Sequence, residues 1–172
     1  MAALDWAEVT AEIPEKGLHR QRRATAEECA RVASALEVPA CSRLEARYRV
    51  QLKGRGRYLL DGTVEADVTQ ECVVTVEPVD ARLKFEIEVE FTADVDVNGD
   101  EVIDPFARME VEPIENGRLA VGRVVLEELA SNLDPYPRRP DSHFDWRDEA
   151  ADKQAGPFAE LARLTPKKPG AR

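Results

Sequence analysis

The stretch Arg43-Leu-Glu-Ala-Arg-Tyr-Arg-Val-Gln-Leu-Lys-Gly-Arg-Gly-Arg-Tyr-Leu-Leu60 decides the fold of this chain. Its odd positions are polar up to Arg57, and its even positions are apolar or glycine. Side chains on a β-strand alternate between two faces, so the rhythm predicts a strand with a buried apolar face and an exposed basic face. Gly54 and Gly56 tolerate positive φ, which predicts that the chain turns back there as a hairpin.

Residues 57–71 keep the same alternation, but their polar face is acidic. Opposite charges that face each other across an antiparallel pair stabilise it by about 0.2–1 kcal/mol each. The acidic face therefore offers partners within the sheet for much of the basic face. Contact with RNA and neutralisation within the sheet are both open interpretations of the basic residues.

Two helices are predicted to pack on these strands. Thr25 and Glu28 form a capping box before an apolar helical pattern, which predicts a helix over 26–37 that ends ahead of Pro39. A second helix is predicted over 119–133. The other predicted elements are a strand over 4–13, a polar connector over 18–23, a β-rich run over 72–79, a strand over 83–91 and a short strand over 108–112.

These elements predict an α+β fold, in which an antiparallel β-sheet of four to five long strands is packed by two helices. The sheet is expected either to stay open or to close into a partial barrel. Residues 1–137 are expected to form the single α+β domain. Residues 138–157 are expected to be a polar flexible segment, and residues 158–172 a short helix with a basic tail.

The formal net charge of −10 conceals an uneven distribution. Residues 16–58 hold eleven Lys and Arg against four acidic residues. The acidic total argues against indiscriminate nucleic-acid binding, whereas the basic segment leaves room for a directed contact. No apolar run is long enough to cross a membrane and the first residues do not resemble a secretory signal, so we expect a cytoplasmic protein.

No pattern typical of a catalytic or metal site is present in the sequence. The stretch 94–100 resembles half of a calcium loop, but Pro105 stands where the loop needs a bidentate glutamate, so we interpret it as an acidic turn. His19 and His143 lie in polar connectors, and the three cysteines form no Cys-x-x-Cys pair. We therefore expect no enzymatic activity, no cofactor and no metal.

Two surfaces are candidates for binding. Arginine presents a planar donor fork that suits phosphate, which makes the basic stripe a candidate contact for an RNA backbone. Its residues are Arg47, Arg49, Lys53, Arg55 and Arg57. Arg55 and Arg57 are the strongest candidates, because the hairpin tip is expected to lie beyond most acidic partners. The alternative is an acidic face that binds a basic protein, formed by Asp61, Glu65, Glu86, Glu88 and Glu90.

Three stretches, in this order, resemble a known family. They are Gly62–Val79, which contains Cys72-Val-Val-Thr-Val-Glu-Pro78; Glu112–Pro137, which ends in Asn132-Leu-Asp-Pro-Tyr-Pro137; and Gly156-Pro-Phe-Ala-Glu-Leu-Ala-Arg-Leu164. The chain resembles the YceD family of bacterial large ribosomal RNA subunit accumulation proteins, in the form seen in alphaproteobacteria. The resemblance implies a role in accumulation or processing of large-subunit (23S) ribosomal RNA, without a known enzymatic activity. It also implies that the basic stripe contacts ribosomal RNA or a pre-ribosomal particle, or, as the alternative, that the acidic face binds a basic ribosomal protein or assembly factor.

The sequence departs from this family at one position. Many members have a Cys-x-x-Cys stretch where this chain has Cys72 and Thr75. A thiolate pair is therefore not formed here, and a zinc or redox role is not implied for this chain. Cys72 is expected to be an inward-facing residue of a strand.

Overall fold

The computed structural model describes residues 3–54, 56–93 and 110–143. The chain up to Pro140 forms one compact unit. The acidic stretch 94–100 and the segment after residue 143 lie outside the described residues, so the predictions for a flexible segment and a C-terminal helix stay predictions.

A five-stranded sheet forms the body of this unit. Its strands lie in the order β2-β3-β4-β5-β6, and all neighbours are antiparallel except β5 and β6. The strands are β2 (Leu18–Arg23), β3 (Ala40–Gly54), β4 (Arg57–Glu71), β5 (Pro78–Thr92) and β6 (Glu110–Pro113). Two short strands, β1 (Glu8–Val9) and β7 (Arg118–Leu119), pair separately.

Two helices pack on the sheet. Helix α1 spans Ala26–Ala35, and its N-terminus carries the predicted capping box, in which the Thr25 hydroxyl accepts from the Glu28 amide at 3.2 Å. Helix α2 spans Val121–Ser131. It begins later than predicted, because Arg118–Leu119 forms β7 instead. Neither helix in the described part of the chain has the length and apolar character needed to cross a membrane.

The apolar face of the sheet forms the core together with the helices. On β3 this face consists of Leu44, Ala46, Tyr48 and Val50, all buried, as the alternation predicts. Facing residues from the other strands and from both helices complete the cluster; the largest are Phe91, Leu60, Ile87, Leu119, Leu129 and Val32. The predicted α+β fold is confirmed, and within the described residues the sheet is open rather than closed into a barrel.

The structure corrects three of the predicted elements. The expected connector over 18–23 is strand β2. The expected β-rich run over 72–79 is mostly a turn, because the amide of Cys72 bonds the carbonyl of Glu77 at 2.9 Å and β5 starts at Pro78. The expected strand over 4–13 is reduced to the two residues of β1, followed by a single 3-10 turn.

Candidate nucleic-acid interface

Strands β2 and β3 place basic side chains on the outer face of the sheet, the face turned away from the core. Antiparallel pairing sets His19 opposite Arg49, Gln21 opposite Arg47 and Arg23 opposite Glu45. We call the group of Lys, Arg and His side chains in this area the basic surface. It consists of His19, Arg23, Arg43, Arg47, Arg49 and Lys53.

The structure brings together some of the five predicted phosphate ligands. Arg47 and Arg49 are two residues apart on β3 and share the basic surface, and Lys53 is exposed toward the hairpin end of the same strand. Arg57 follows the turn, where its Nη1 lies 3.1 Å from Glu90 Oε1 on β5. The hairpin tip was expected to lie beyond most acidic partners, and Glu90 is an acidic partner that Arg57 does have. Arg55 lies outside the described residues.

Carboxylates within the sheet neutralise the arginines of the basic surface to different degrees. Arg49 forms an ion pair with Asp61 on β4 at 3.0 Å, and Arg43 forms one with Glu65 at 2.8 Å. Arg47 pairs with Glu45 on its own strand, yet 65% of its side chain stays exposed. Solvent-exposed ion pairs contribute about 0–1 kcal/mol. The Arg49–Asp61 pair, in which both side chains are partly exposed, can therefore exchange its carboxylate for a phosphate at small cost.

Glu45 organises the arginines around it. Only 8% of its side chain is exposed, although it lies on the outer face, because Arg43, Arg47, Arg23 and Gln21 surround it. Hydrogen bonds from Arg43, Arg47 and Gln21 lower the pKa of Glu45. The ionised carboxylate holds three guanidinium groups close together while most of the Arg23 and Arg47 side chains remain open to solvent.

Strand β2 is the part of the basic surface that the sequence pattern did not reveal. A half-buried strand is recognised by apolar residues at alternate positions. In β2 two of those positions are Arg20 and Arg22, which form ion pairs with the buried carboxylate of Glu8. The side chain of Arg23, on the opposite face, is 71% exposed, which makes it the most exposed of the arginines on β2 and β3 with a described ion pair.

A buried carboxylate anchors β2 from the inner side. Glu8 accepts a hydrogen bond of 2.6 Å from the Tyr48 hydroxyl and one of 3.0 Å from Arg22. Burial opposes ionisation of Glu8, but the hydrogen bonds from Tyr48 and Arg22 together with the charge of Arg20 lower its pKa below the ordinary value. The resulting ionised cluster joins the N-terminal segment to β2 and β3.

A shallow groove of about 660 Å³ crosses the basic surface. Its lining is mostly polar and cationic, and consists of His19, Arg20, Gln21, Arg47, Tyr48, Arg49, Asp61 and Gly62. No exposed aromatic ring among the described residues lies in the groove, since Tyr48 is buried. A surface of this kind can contact a phosphate backbone but offers little for base stacking.

The acidic residues predicted as an alternative site occupy the other half of the outer face. Asp61, Glu65 and Glu90 are engaged by Arg49, Arg43 and Arg57 respectively. Glu86 and Glu88 on β5 are exposed, and no ion pair is formed by either within the described residues. The outer face is therefore basic along β2 and β3 and acidic along the second half of β5.

Cys72 lies in the turn before β5 and not on a strand, which corrects the expectation of an inward-facing strand residue. Its side chain is buried and is one of three free thiols. A hydrogen bond from Thr75 and others from backbone amides lower the pKa of Cys72 to about 6. Across residues 3–54, 56–93 and 110–143, no group of three His, Cys, Asp or Glu side chains is placed to hold a metal ion.

Comparison with known proteins identifies the family. The family model of the large ribosomal RNA subunit accumulation protein YceD matches residues 60–165, which is more than half of the chain. Searches of curated proteins and of solved structures gave no match. The matched region starts inside β4 and includes β5, β6 and α2, so it covers the acidic half of the outer face and the turn of Cys72. This chain belongs to the YceD family of large ribosomal RNA subunit accumulation proteins.

Proposed function

We propose that the protein is a non-enzymatic ribosome-biogenesis factor of the cytoplasm. It supports accumulation or processing of large-subunit ribosomal RNA by contacting the RNA, or a precursor particle, through the basic surface. Family membership supports the biological role. The single observation that supports the site is the clustering of Arg23, Arg47 and Arg49 on adjacent strands, with most of the first two side chains exposed.

The chemistry of this surface suits a phosphate backbone. A guanidinium group donates hydrogen bonds in a planar fork that matches two phosphate oxygens. Neighbouring strands are about 4.8 Å apart, and same-face residues along one strand about 7 Å apart, so cations on two strands can bind successive phosphates. RNA backbone contacts of this type recognise charge and shape rather than base sequence.

The acidic total charge of the chain restricts where such contacts occur. A polyanion is attracted by β2 and β3 and repelled by Glu86 and Glu88 on β5. Binding is therefore expected to be oriented, with the β2 edge toward the RNA. Because of this separation of charge, a protein of net charge −10 can contact RNA through one part of its surface without binding RNA indiscriminately.

The test compares two charge-reversal variants in co-sedimentation with precursor particles across a salt series. Arg23→Glu with Arg47→Glu removes two exposed cations from the basic surface. We expect association to fall at least about tenfold and the salt dependence to become shallower, by about 0.7–0.9 in slope for each lost phosphate contact. The control, Arg82→Glu with Arg118→Glu, changes the net charge equally on other strands and should bind nearly as well as the unmodified protein.

Two outcomes would exclude this site. If both double variants lose association equally, net charge and not the basic surface governs binding. If neither does, the RNA contact lies elsewhere in the chain. Arg57→Glu, measured in the same way, tests whether the hairpin end contributes to RNA association. The question is open because Arg57 already forms an ion pair with Glu90.

A second candidate function is supported by the acidic half of the outer face. Glu86 and Glu88 are exposed carboxylates whose charge is not offset by a described ion pair. Such a surface favours a basic ribosomal protein or assembly factor. The two functions use different strands and can coexist in one molecule.

A further inference from the structure

Among the residues that the structure describes, the edge of β5 is open along most of its length. β5 pairs with β4 over its full fifteen residues, from Pro78 to Thr92. On its other side it pairs with β6 over Val89–Thr92 alone. Within the described residues, no strand covers that side of β5 over residues 78–88.

The backbone groups on this open edge belong to known residues. The amide of Ile114, next to β6, donates to the carbonyl of Thr92 at 2.9 Å, so the polar groups of Thr92 point toward the β6 side. The N–H and C=O of one strand residue point to the same side, and the side alternates along the strand. The groups on the open edge are therefore those of Asp80, Arg82, Lys84, Glu86 and Glu88.

An open row of donors and acceptors is a template for another strand. Proteins often protect such an edge with cations, and β5 has two. Arg82 and Lys84, however, are bound to Asp67 and Glu65 on β4, at 3.0 Å and 3.3 Å. The following residues, Glu86 and Glu88, leave the second half of the edge acidic.

The inner side of the same edge is partly apolar. Ala81 and Leu83 are half-buried, so part of their surface remains available beside the open edge. An added strand would place alternate side chains next to these residues and the remaining side chains next to Glu86 and Glu88. The edge thus fits a strand in which apolar and cationic residues alternate.

We propose that the open edge of β5 binds an extended segment rich in Lys and Arg by strand addition. Main-chain hydrogen bonds to residues 80–88 supply the register, and carboxylates of Glu86 and Glu88 select cationic side chains. The proposal deepens the second candidate function, on which it rests, and does not depend on RNA contact by the basic surface.

Amide hydrogen exchange followed by NMR tests this proposal directly. The probe is a synthetic peptide of alternating Lys and Val, about nine residues long, which is enough to span the open edge. In the free protein the amides of Arg82, Lys84, Glu86 and Glu88 should exchange fast, whereas those of Phe85 and Ile87, bonded to β4, should be protected. Addition of the peptide should protect the even-numbered amides.

Two matched controls separate strand addition from charge attraction. A peptide N-methylated at alternate residues, with the edge-facing amides blocked, should bind at least about tenfold more weakly. Glu86→Lys with Glu88→Lys should weaken binding of the unmodified peptide by a similar factor, whereas Glu15→Lys with Glu127→Lys, which makes the same change in net charge elsewhere, should not.

Three results would overturn the proposal. Protection of the even-numbered amides in the free protein would mean that the chain itself covers the edge. Equal binding of the N-methylated peptide, or protection at other strands, would mean that the peptide binds by charge alone or elsewhere. Arg23→Glu with Arg47→Glu should leave peptide binding intact, so failure of RNA binding and failure of strand addition are distinguished.

Discussion

Arg49 lies directly opposite Asp61 across β3 and β4, and its guanidinium group donates to both carboxylate oxygens of Asp61 at 3.0–3.2 Å. A carboxylate that is paired with an arginine of a candidate phosphate site competes with the phosphate for that arginine. If Arg49 contacts RNA as proposed, we therefore expect the carboxylate of Asp61 to weaken that contact. The same carboxylate fixes the direction of the Arg49 side chain.

Asp61→Asn should strengthen RNA binding at low salt by about two- to fivefold, since removal of the charge 3.0 Å from the Arg49 guanidinium group is worth about 1 kcal/mol or less near solvent. Filter binding of a large-subunit ribosomal RNA fragment measures the effect. Asp80→Asn, which makes the same charge change on β5, serves as the control. If both variants bind RNA equally, Arg49 is not at the interface.

Glu8→Gln should lower the free energy of unfolding by about 1–3 kcal/mol, because the ionised acceptor of Tyr48 and Arg22 is lost. The pKa of Glu8 is lowered on folding. Its stabilisation is therefore complete above the unfolded carboxyl value of about 4.3 and is lost as the pH falls through the folded value. Denaturant unfolding at pH 7 and at pH values below about 4 should show the difference between variant and wild type shrinking in acid.

The exposed residue Glu12 provides the control for that measurement, since Glu12→Gln should leave stability nearly unchanged. A variant difference at Glu8 that is independent of pH would contradict an ionised Glu8 in the folded protein.

Gly62→Ala should destabilise the protein by about 1–3 kcal/mol. A Cβ atom at Gly62 would lie 2.4 Å from the Arg47 carbonyl oxygen and 2.7 Å from Tyr48 Cα, so β3 would have to move. Thermal unfolding measures the loss, and Thr63→Ala, at the neighbouring outer-face position, should have a much smaller effect. Equal losses in the two variants would show that β3 adjusts freely at this point.

Thr75→Val should raise the pKa of the Cys72 thiol from about 6 toward the ordinary value of about 8.5, because the hydroxyl no longer donates to the sulfur. The Cβ chemical shift of Cys72, followed against pH, reports its ionisation. Stabilisation by the Cys72 thiolate is present above the unfolded pKa and is lost as the pH falls toward 6. An unchanged titration in the variant would mean that the backbone amides alone lower the pKa of Cys72. Thr63→Val serves as the control for loss of a hydroxyl elsewhere.

Local patterns predicted the parts of the fold that depend on short-range geometry. The alternation around Tyr48 and Leu60 identifies β3 and β4 because both strands have one buried face. The capping box of Thr25 and Glu28 locates the start of α1 to the residue. These signals are reliable because the side chains that form them are close in sequence.

The predictions that failed concern features that depend on contacts between residues distant in the sequence, or on an unusual backbone conformation. β2 was not predicted because Arg20 and Arg22 occupy its inward positions. The buried carboxylate of Glu8, 12 and 14 positions earlier in the chain, forms ion pairs with both arginines there. Val76 adopts φ of +62°, a conformation rare for a β-branched residue, so a run of strong strand formers becomes a turn. The pairing of Arg57 with Glu90 follows from the register of two strands, which residue spacing alone does not specify.

The opposite charge of the two halves of the outer face gives the sheet a transverse electric dipole. The electric field of a polyanion exerts a torque on this dipole, which turns the β2 edge toward the polyanion before any contact forms. The β5 edge then lies on the side away from the polyanion, where a cationic chain can reach it. A molecule oriented in this way could lie between ribosomal RNA and a protein destined for it.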